Sequence, residues 1–120
     1  MISFKDRKIL ITGATGTIGN ALVKKFVSLE GKVLATGTKT EKLETLKKEF
    51  PNISVLKFDI SEHSKIEEFI ENVSSQLVGL DVLVNNAGIN MDNLSLRMKD
   101  EEWKKVIDVN LTATFLLCKY

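Results

Sequence analysis

The chain has 120 residues, 43% apolar and 28% charged, with a net charge of +1, which fits one small globular domain and gives no footing for a polyanionic partner such as nucleic acid. No apolar run approaches the roughly 18 residues of a membrane span, and Met1 to Arg7 lacks the apolar segment of a signal peptide. Cys118 is the only cysteine and His63 the only histidine, so an intrachain disulfide, a metal centre and a Cys–His nucleophile pair are all without support, and a reducing cytoplasm is the expected compartment.

The predicted elements follow in order. Lys8 to Thr12 is an unbroken apolar strand, as in a sheet covered on both faces. It stops at Gly13-Ala14-Thr15-Gly16-Thr17-Ile18-Gly19, where a helical pattern begins and runs to Glu30. Ile18, Leu22, Val23, Phe26, Val27 and Leu29 form its apolar stripe, and Gly31 is its stop. Lys32 to Thr36 is a second strand. Glu41 to Phe50 is a helix capped by Thr40 and ended by Pro51. Ile53 to Phe58 is a third strand with Asp59 at its carboxyl end. A third helix opens at Ser61 or Glu62, with Ile66, Phe69, Ile70, Val73 and Leu77 at helical spacing. Leu80 to Val84 is a fourth strand, followed by the polar turn Asn85-Asn86-Ala87-Gly88. Ile89 to Lys99 reads as an irregular loop or short helical turns. Asp100 caps a last helix whose face is expected to carry Trp103, Val106, Ile107, Asn110, Leu111, Thr114 and Cys118.

The β-α-β-α-β-α-β-α order implies right-handed crossovers and a doubly wound parallel sheet of Rossmann type, an α/β fold with strand order 3-2-1-4. The Gly turn, Gly37-Thr38, Asp59-Ile60 and Asn85 to Gly88 then all fall on one carboxyl edge. The last helix pattern reaches Tyr120 with no stop signal, and the fourth strand has no further neighbour. Residues 1–120 therefore read as the dinucleotide-binding part of one larger Rossmann domain, interrupted in the helix after residue 100.

The chemistry sits at those four turns. A pyrophosphate cradle needs Gly where the backbone turns, where the phosphate approaches and where helix meets strand, and Gly13, Gly16 and Gly19 are the candidates. The end of the second strand, Thr36-Gly37-Thr38-Lys39-Thr40, has no acidic residue to repel a ribose 2′-phosphate, which favours NADP(H) over NAD(H). Asp59 is an adenine-amino acceptor, a turn residue or a helix cap. Asn85 and Asn86 form a structural turn, or bind neighbouring backbone so that a cofactor lies close. Asn110, on an apolar helix face, needs partners whether it is a satisfied core amide, a kink residue or catalytic. His63, among charges at a helix start, is expected to be solvent-exposed.

Thr12-Gly13-Ala14-Thr15-Gly16-Thr17-Ile18-Gly19, Asp59-Ile60, Asn85-Asn86-Ala87-Gly88 and Asp108-Val109-Asn110-Leu111 resemble, in order and spacing, the motifs of the short-chain dehydrogenase/reductase superfamily. The stretch from Asn85 through Arg97-Met98-Lys99-Asp100-Glu101-Glu102-Trp103 is similar to the 3-oxoacyl-[acyl-carrier-protein] reductases of type II fatty acid synthesis. The resemblance covers the whole chain. It implies NADPH-dependent reduction of a 3-oxoacyl thioester on acyl carrier protein to the (3R)-hydroxyacyl form, by a cytoplasmic homotetramer. It also implies that Gly13, Ala14, Thr15, Gly16 and Ile18 wrap the cofactor phosphates and Thr38 faces the 2′-phosphate. By the same resemblance Asp59 and Ile60 flank the adenine, Asn86, Ala87 and Gly88 back the ribose, and Asn110 is the Asn of the catalytic tetrad.

Two departures stand out. The family usually has Thr-Gly-x-x-x-Gly-x-Gly, whereas here Gly16 precedes Thr17, a spacing typical of extended, epimerase-like relatives. Gly16 also stands where many of these reductases have an Arg. The family's Ser and Tyr-x-x-x-Lys pair have no counterpart, so the 120 residues alone are expected to be inactive. A non-catalytic nucleotide-binding module and an epimerase-like protein are the alternatives.

Overall fold

The computed structural model describes residues 2–120. Four parallel strands, β1 (Lys8–Ile11), β2 (Lys32–Gly37), β3 (Ser54–Lys57) and β4 (Val82–Val84), form one sheet in the order β3-β2-β1-β4. β1 is central, pairing Leu10 with Leu34 of β2 and Leu83 of β4. Helices α1 (Thr17–Ser28), α2 (Thr40–Glu49) and α3 (Ile66–Leu77) are the crossovers, and a short 3₁₀ turn, His63–Lys65, precedes α3. The chain ends in a helical rod: α4 (Asp100–Ile107), a π-helical turn (Asp108–Thr112) and α5 (Ala113–Lys119). The expected fold and strand order are therefore those observed.

Alternation along β1 and β2 divides the interior. Ile9, Ile11, Val33 and Ala35 point to one side, where they meet Val23 of α1, Leu46 of α2 and Ile53. Leu10 and Leu34 point to the other, against the α3 stripe and against Val109, Ala113 and Leu117 of the rod. A strand with both faces covered needs apolar residues at every position, which explains the unbroken run in β1. The predicted stripe of α3 is buried throughout.

Several local expectations need correction. Ile18 is not part of the α1 stripe: it is 70% exposed at the helix start, above the Gly turn. Thr40 is the first residue of α2 rather than its cap, and Asp100 likewise begins α4. At α4 the Glu102 carboxylate accepts the Lys99 N–H at 2.7 Å, so the third helical residue reaches back to the cap. The third helix starts later than expected because Asp59 and Ser61 close a side-chain turn first. The rod buries Val109, Ala113 and Leu117, leaving Trp103, Leu111 and Phe115 more than 60% exposed. The π turn, Asp108–Thr112, changes the helical repeat within the rod, but Trp103 precedes it and faces outward on α4 itself. Among the described residues no helix is long and apolar enough to cross a membrane.

Close packing of α1 on β1 depends on Gly19. A Cβ there would lie 2.2 Å from the Gly13 carbonyl oxygen and 2.7 Å from Ala14 Cα, both rigid backbone. Gly16 is different: its φ is −81° and an added Cβ would meet only Gly13 O at 3.6 Å. Gly19→Ala is expected to lower unfolding free energy by about 1–3 kcal/mol in urea titration, while Gly16→Ala stays within about 0.5 kcal/mol of the parent. Equal stability of the two variants would contradict this packing.

Candidate functional site

All four polar turns lie at the carboxyl ends of the strands. At the first, Gly13 takes a left-handed φ of +61°, and Ala14 N–H returns to the Thr36 carbonyl at 3.1 Å. Gly16 N–H reaches Gly13 O at 3.2 Å and closes the turn. The chain then enters α1, whose first N–H groups have no partner within the helix and whose first turn carries no acidic residue. Thr15, Gly16, Thr17 and Ile18 line an open depression of about 400 Å³ above these donors, together with Asn86, Ala87 and Gly88. Donors converging on an open hollow suit an anion.

Thr12, at the end of β1, joins this turn to the next. It is 1% exposed. Its hydroxyl accepts Asn86 N–H at 3.1 Å and Ala87 N–H at 3.0 Å, and donates to Val84 O at 3.3 Å. Asn86 completes the link, its amide nitrogen donating to Thr12 O at 3.1 Å and Gly13 O at 3.0 Å. Of the two readings of the Asn pair, the binding of neighbouring backbone holds for Asn86. Asn85 instead turns its amide to Cys118 Sγ at 3.4 Å. Gly13 has to be glycine for a second reason: a Cβ would stand 2.7 Å from Ala87 Cα.

A second hollow, about 310 Å³, runs from the Gly turn across the sheet edge. One wall is Phe58, Asp59, Ile60 and Ser61, and the other is Ala87, Gly88, Ile89, Lys105 and Val109, with Thr15, Gly37 and Thr38 at the end nearer β2. Asp59 is exposed and is a turn residue: its Oδ1 accepts Ser61 N–H at 2.9 Å and Ser61 O–H at 2.7 Å. Ile60 is buried, and the Phe58 ring stacks on Phe69 with centroids 4.1 Å apart. Thr36 offers nothing to a ligand, because its buried hydroxyl donates to Leu56 O at 2.6 Å. Thr38 and Lys39 remain exposed at the end of β2.

Asn110 sits in the π turn. Its Oδ1 accepts Ile89 N–H at 2.8 Å and its Nδ2 donates to Ile89 O at 2.7 Å, a two-point clamp on the segment after Gly88. A Cβ on Gly88 would approach Asn110 Oδ1 to 3.3 Å. The residue is exposed on the rod and so is not the core amide expected, although its oxygen and one N–H are bonded; it lies in a π turn, an irregularity of the helix where a kink was one reading. His63 corrects an expectation: it is half-buried, with Nε2 2.9 Å from Asp108 O. Sequence reasoning also gave no role to Lys105, Val109 or the Thr12 hydroxyl. A polar residue ending an otherwise apolar strand was the available signal for Thr12; nothing in the spacing pointed to His63 or Lys105.

Residues 7–120 match the family model for short chain dehydrogenase. Nodulation protein G of Rhizobium sp. (strain N33) is 38% identical over 120 residues, covering 99% of this chain and 49% of that protein. The 3-oxoacyl-[acyl-carrier-protein] reductase FabG of Salmonella typhimurium is 36% identical over 119 residues, covering 98% of this chain and 49% of that one. Among solved structures, a short-chain dehydrogenase/reductase of glucose/ribitol dehydrogenase type from Brucella melitensis superposes with a TM-score of 0.91 at 30% identity, over 98% of this chain and 51% of the other. The chain thus spans about half the length of the relatives it matches.

Removing the Thr12 hydroxyl would leave the Ala87 N–H unpaired and the Asn86 N–H with only its bond to Val84 O at 3.0 Å. Thr12→Val is expected to cost about 1–3 kcal/mol of stability, and Thr12→Ser, which keeps the hydroxyl, distinctly less, by chemical denaturation. Equal losses in both variants would mean that the methyl group, not the hydrogen bonds, holds the two turns together.

Proposed function

The chain belongs to the short-chain dehydrogenase family, and from that membership we propose that it is the nucleotide-holding part of an NADP(H)-dependent carbonyl reductase. Our reading of its reaction is reduction of 3-oxoacyl-[acyl-carrier-protein] to the (3R)-hydroxyacyl product in fatty acid biosynthesis. The observation that carries it is the meeting of the four strand-end turns in one groove with no carboxylate at the end of β2.

The residues present fit a dinucleotide. The open cradle at Gly13 to Gly16 would collect a pyrophosphate on the first N–H groups of α1, with Ala14, Thr15 and Ile18 around it and Gly19 holding the helix against β1. Asn86, Ala87 and Gly88 would back the ribose, and Asp59 and Ile60 would face an adenine opposite Val109. Thr38, with Lys39 beside it, would meet a 2′-phosphate; the cation is a substitute for the Arg that Gly16 displaces. NADPH, when bound, supplies a hydride. The Gly16 spacing shared with extended relatives is read as a local variation within this family.

Asn110 is assigned to positioning through its clamp on Ile89, with the π turn carrying the relay water that the resemblance implies. By the resemblance the proton donor is the tyrosine of a Tyr-x-x-x-Lys pair, and residues 1–120 contain no such pair. Residues 1–120 alone are therefore expected to bind cofactor without turnover. The acyl carrier protein, the homotetramer and the cytoplasmic compartment follow from likeness to the reductases. The exposed Trp103, Leu111 and Phe115 face is consistent with assembly.

Titration of the purified protein with NADPH and NADH tests the cofactor reading. NADPH should bind more tightly, and Lys39→Ala should weaken NADPH by about two- to fivefold while leaving NADH nearly unchanged, as for loss of one solvent-exposed ion pair. Preference for NADH would overturn the assignment. Turnover of an acetoacetyl thioester on acyl carrier protein supports the reductase; nucleotide binding with no carbonyl reduction by the whole protein would favour a non-catalytic module.

A further inference from the structure

Two walls enclose the proposed adenine groove, and one side chain ties them together. The turn from Asp59 to Ser61 forms the first wall, held by Asp59 Oδ1 and by Glu62 N–H on Asp59 O at 3.0 Å. Val109 and Lys105 of the rod belong to the second. His63, directly after the first wall, reaches across 45 positions of sequence and sets Nε2 2.9 Å from the carbonyl oxygen of Asp108, the residue before Val109. A carbonyl oxygen only accepts, so Nε2 carries the proton and donates.

Asp108 is also where the π turn begins. Its carbonyl accepts the Ala113 N–H, the wide-turn bond that displaces the helix by one residue. The same turn presents Asn110 to Ile89. One oxygen therefore receives both the bond that makes the π turn and the bond from the opposite wall. We propose that His63 is a positioning residue, which sets the width of the groove and the register of the Asn110 clamp by anchoring the π turn to the Asp59–Ser61 turn. This rests on the nucleotide reading above for its consequence, but not for the tie itself.

Three observations favour a positioning role over an incidental surface contact. Among the described residues, His63–Asp108 is the one side-chain hydrogen bond joining the segment after β3 to the rod. Ile60 and Val109, the hydrophobic neighbours at either end of the tie, share one core cluster and are both 7% exposed, so movement of either wall disturbs packing beneath the groove. The accepting carbonyl, that of Asp108, also takes the Ala113 N–H, so the tie ends on the π turn itself.

The test has two arms. In the first, the ligand-free protein is observed by NMR. His63 should show the Nε2–H tautomer with coupling across the hydrogen bond to the Asp108 carbonyl. His63→Ala should speed hydrogen exchange at Ile89 N–H and at the Asn110 side-chain amide, and His63→Gln, whose amide can still donate, should restore slow exchange. In the second, the dissociation constant of NADPH should rise about three- to tenfold in His63→Ala and recover to near the parent in His63→Gln. Leu46→Ala, a core change on the opposite face of the sheet, should lower the melting temperature without moving that constant.

Unchanged exchange at Ile89 and Asn110 in His63→Ala, or an Nδ1–H tautomer in the parent, would overturn the tie. Unchanged NADPH affinity in the Ala variant, or an equal loss in the Gln variant, would overturn its role in the groove. Failure of the parent to bind NADPH would instead defeat the nucleotide reading and leave the first arm standing. If His63→Ala does not fold, the tautomer and coupling in the parent decide.

Discussion

The hydroxyl of Thr12 is the point on which the site depends. It lies at the end of the central strand, is out of reach of water, and accepts two N–H groups of a loop that follows a strand more than seventy residues later, one of which, that of Ala87, has no other partner among the described residues. A buried backbone donor without a partner is costly, so the loop has one low-energy position, against the Gly turn. Asn86 locks the same junction from the other side, onto Thr12 and Gly13 carbonyls. The close approach of Gly13 to Ala87 follows from these bonds rather than from apolar contact.

From that junction the site is built outward by backbone geometry. β1 delivers the Gly turn and α1; β4 delivers Asn85 to Gly88; β2 and β3 deliver Thr38 and Asp59 along the same edge. Asn110 then holds the segment after Gly88 against the rod, and His63 holds the rod against the segment after β3. Polar side chains bind backbone at each of these junctions. This leaves main-chain donors and small residues facing the groove, a surface suited to a ligand that lies flat along the sheet edge.

The fold was largely legible because its signals are local or periodic. The apolar runs of β1 and β2, the stripe of α3 and the glycines at positions 13, 16 and 19 each follow from residue chemistry within a dozen positions. What was not legible depends on partners distant in the chain. His63 reads as exposed until Asp108 is brought to it. The buried face of the rod, Val109, Ala113 and Leu117, depends on which side packs against α3 and the sheet, and the π turn within it leaves no mark in composition. Residue type points to Thr40 and Asp100 as caps, whereas Glu102 reaches back to Lys99 and the α2 start has no side-chain cap. Most residues around the groove stand at strand ends and in family-like motifs; Lys105 and Val109 reach it only through the folding of the rod.

The central claim is that one continuous groove, anchored by Thr12, holds a dinucleotide with its pyrophosphate at the start of α1. The most direct measurement is a crystal structure of the protein with NADP bound. It should place the pyrophosphate oxygens on the N–H groups at Thr17 and Ile18 and the adenine between Asp59–Ile60 and Val109, with the Thr12, Asn86 and Asn110 bonds unchanged. A nucleotide bound elsewhere, or one that requires the Asn85–Gly88 turn to leave Thr12, would contradict the account.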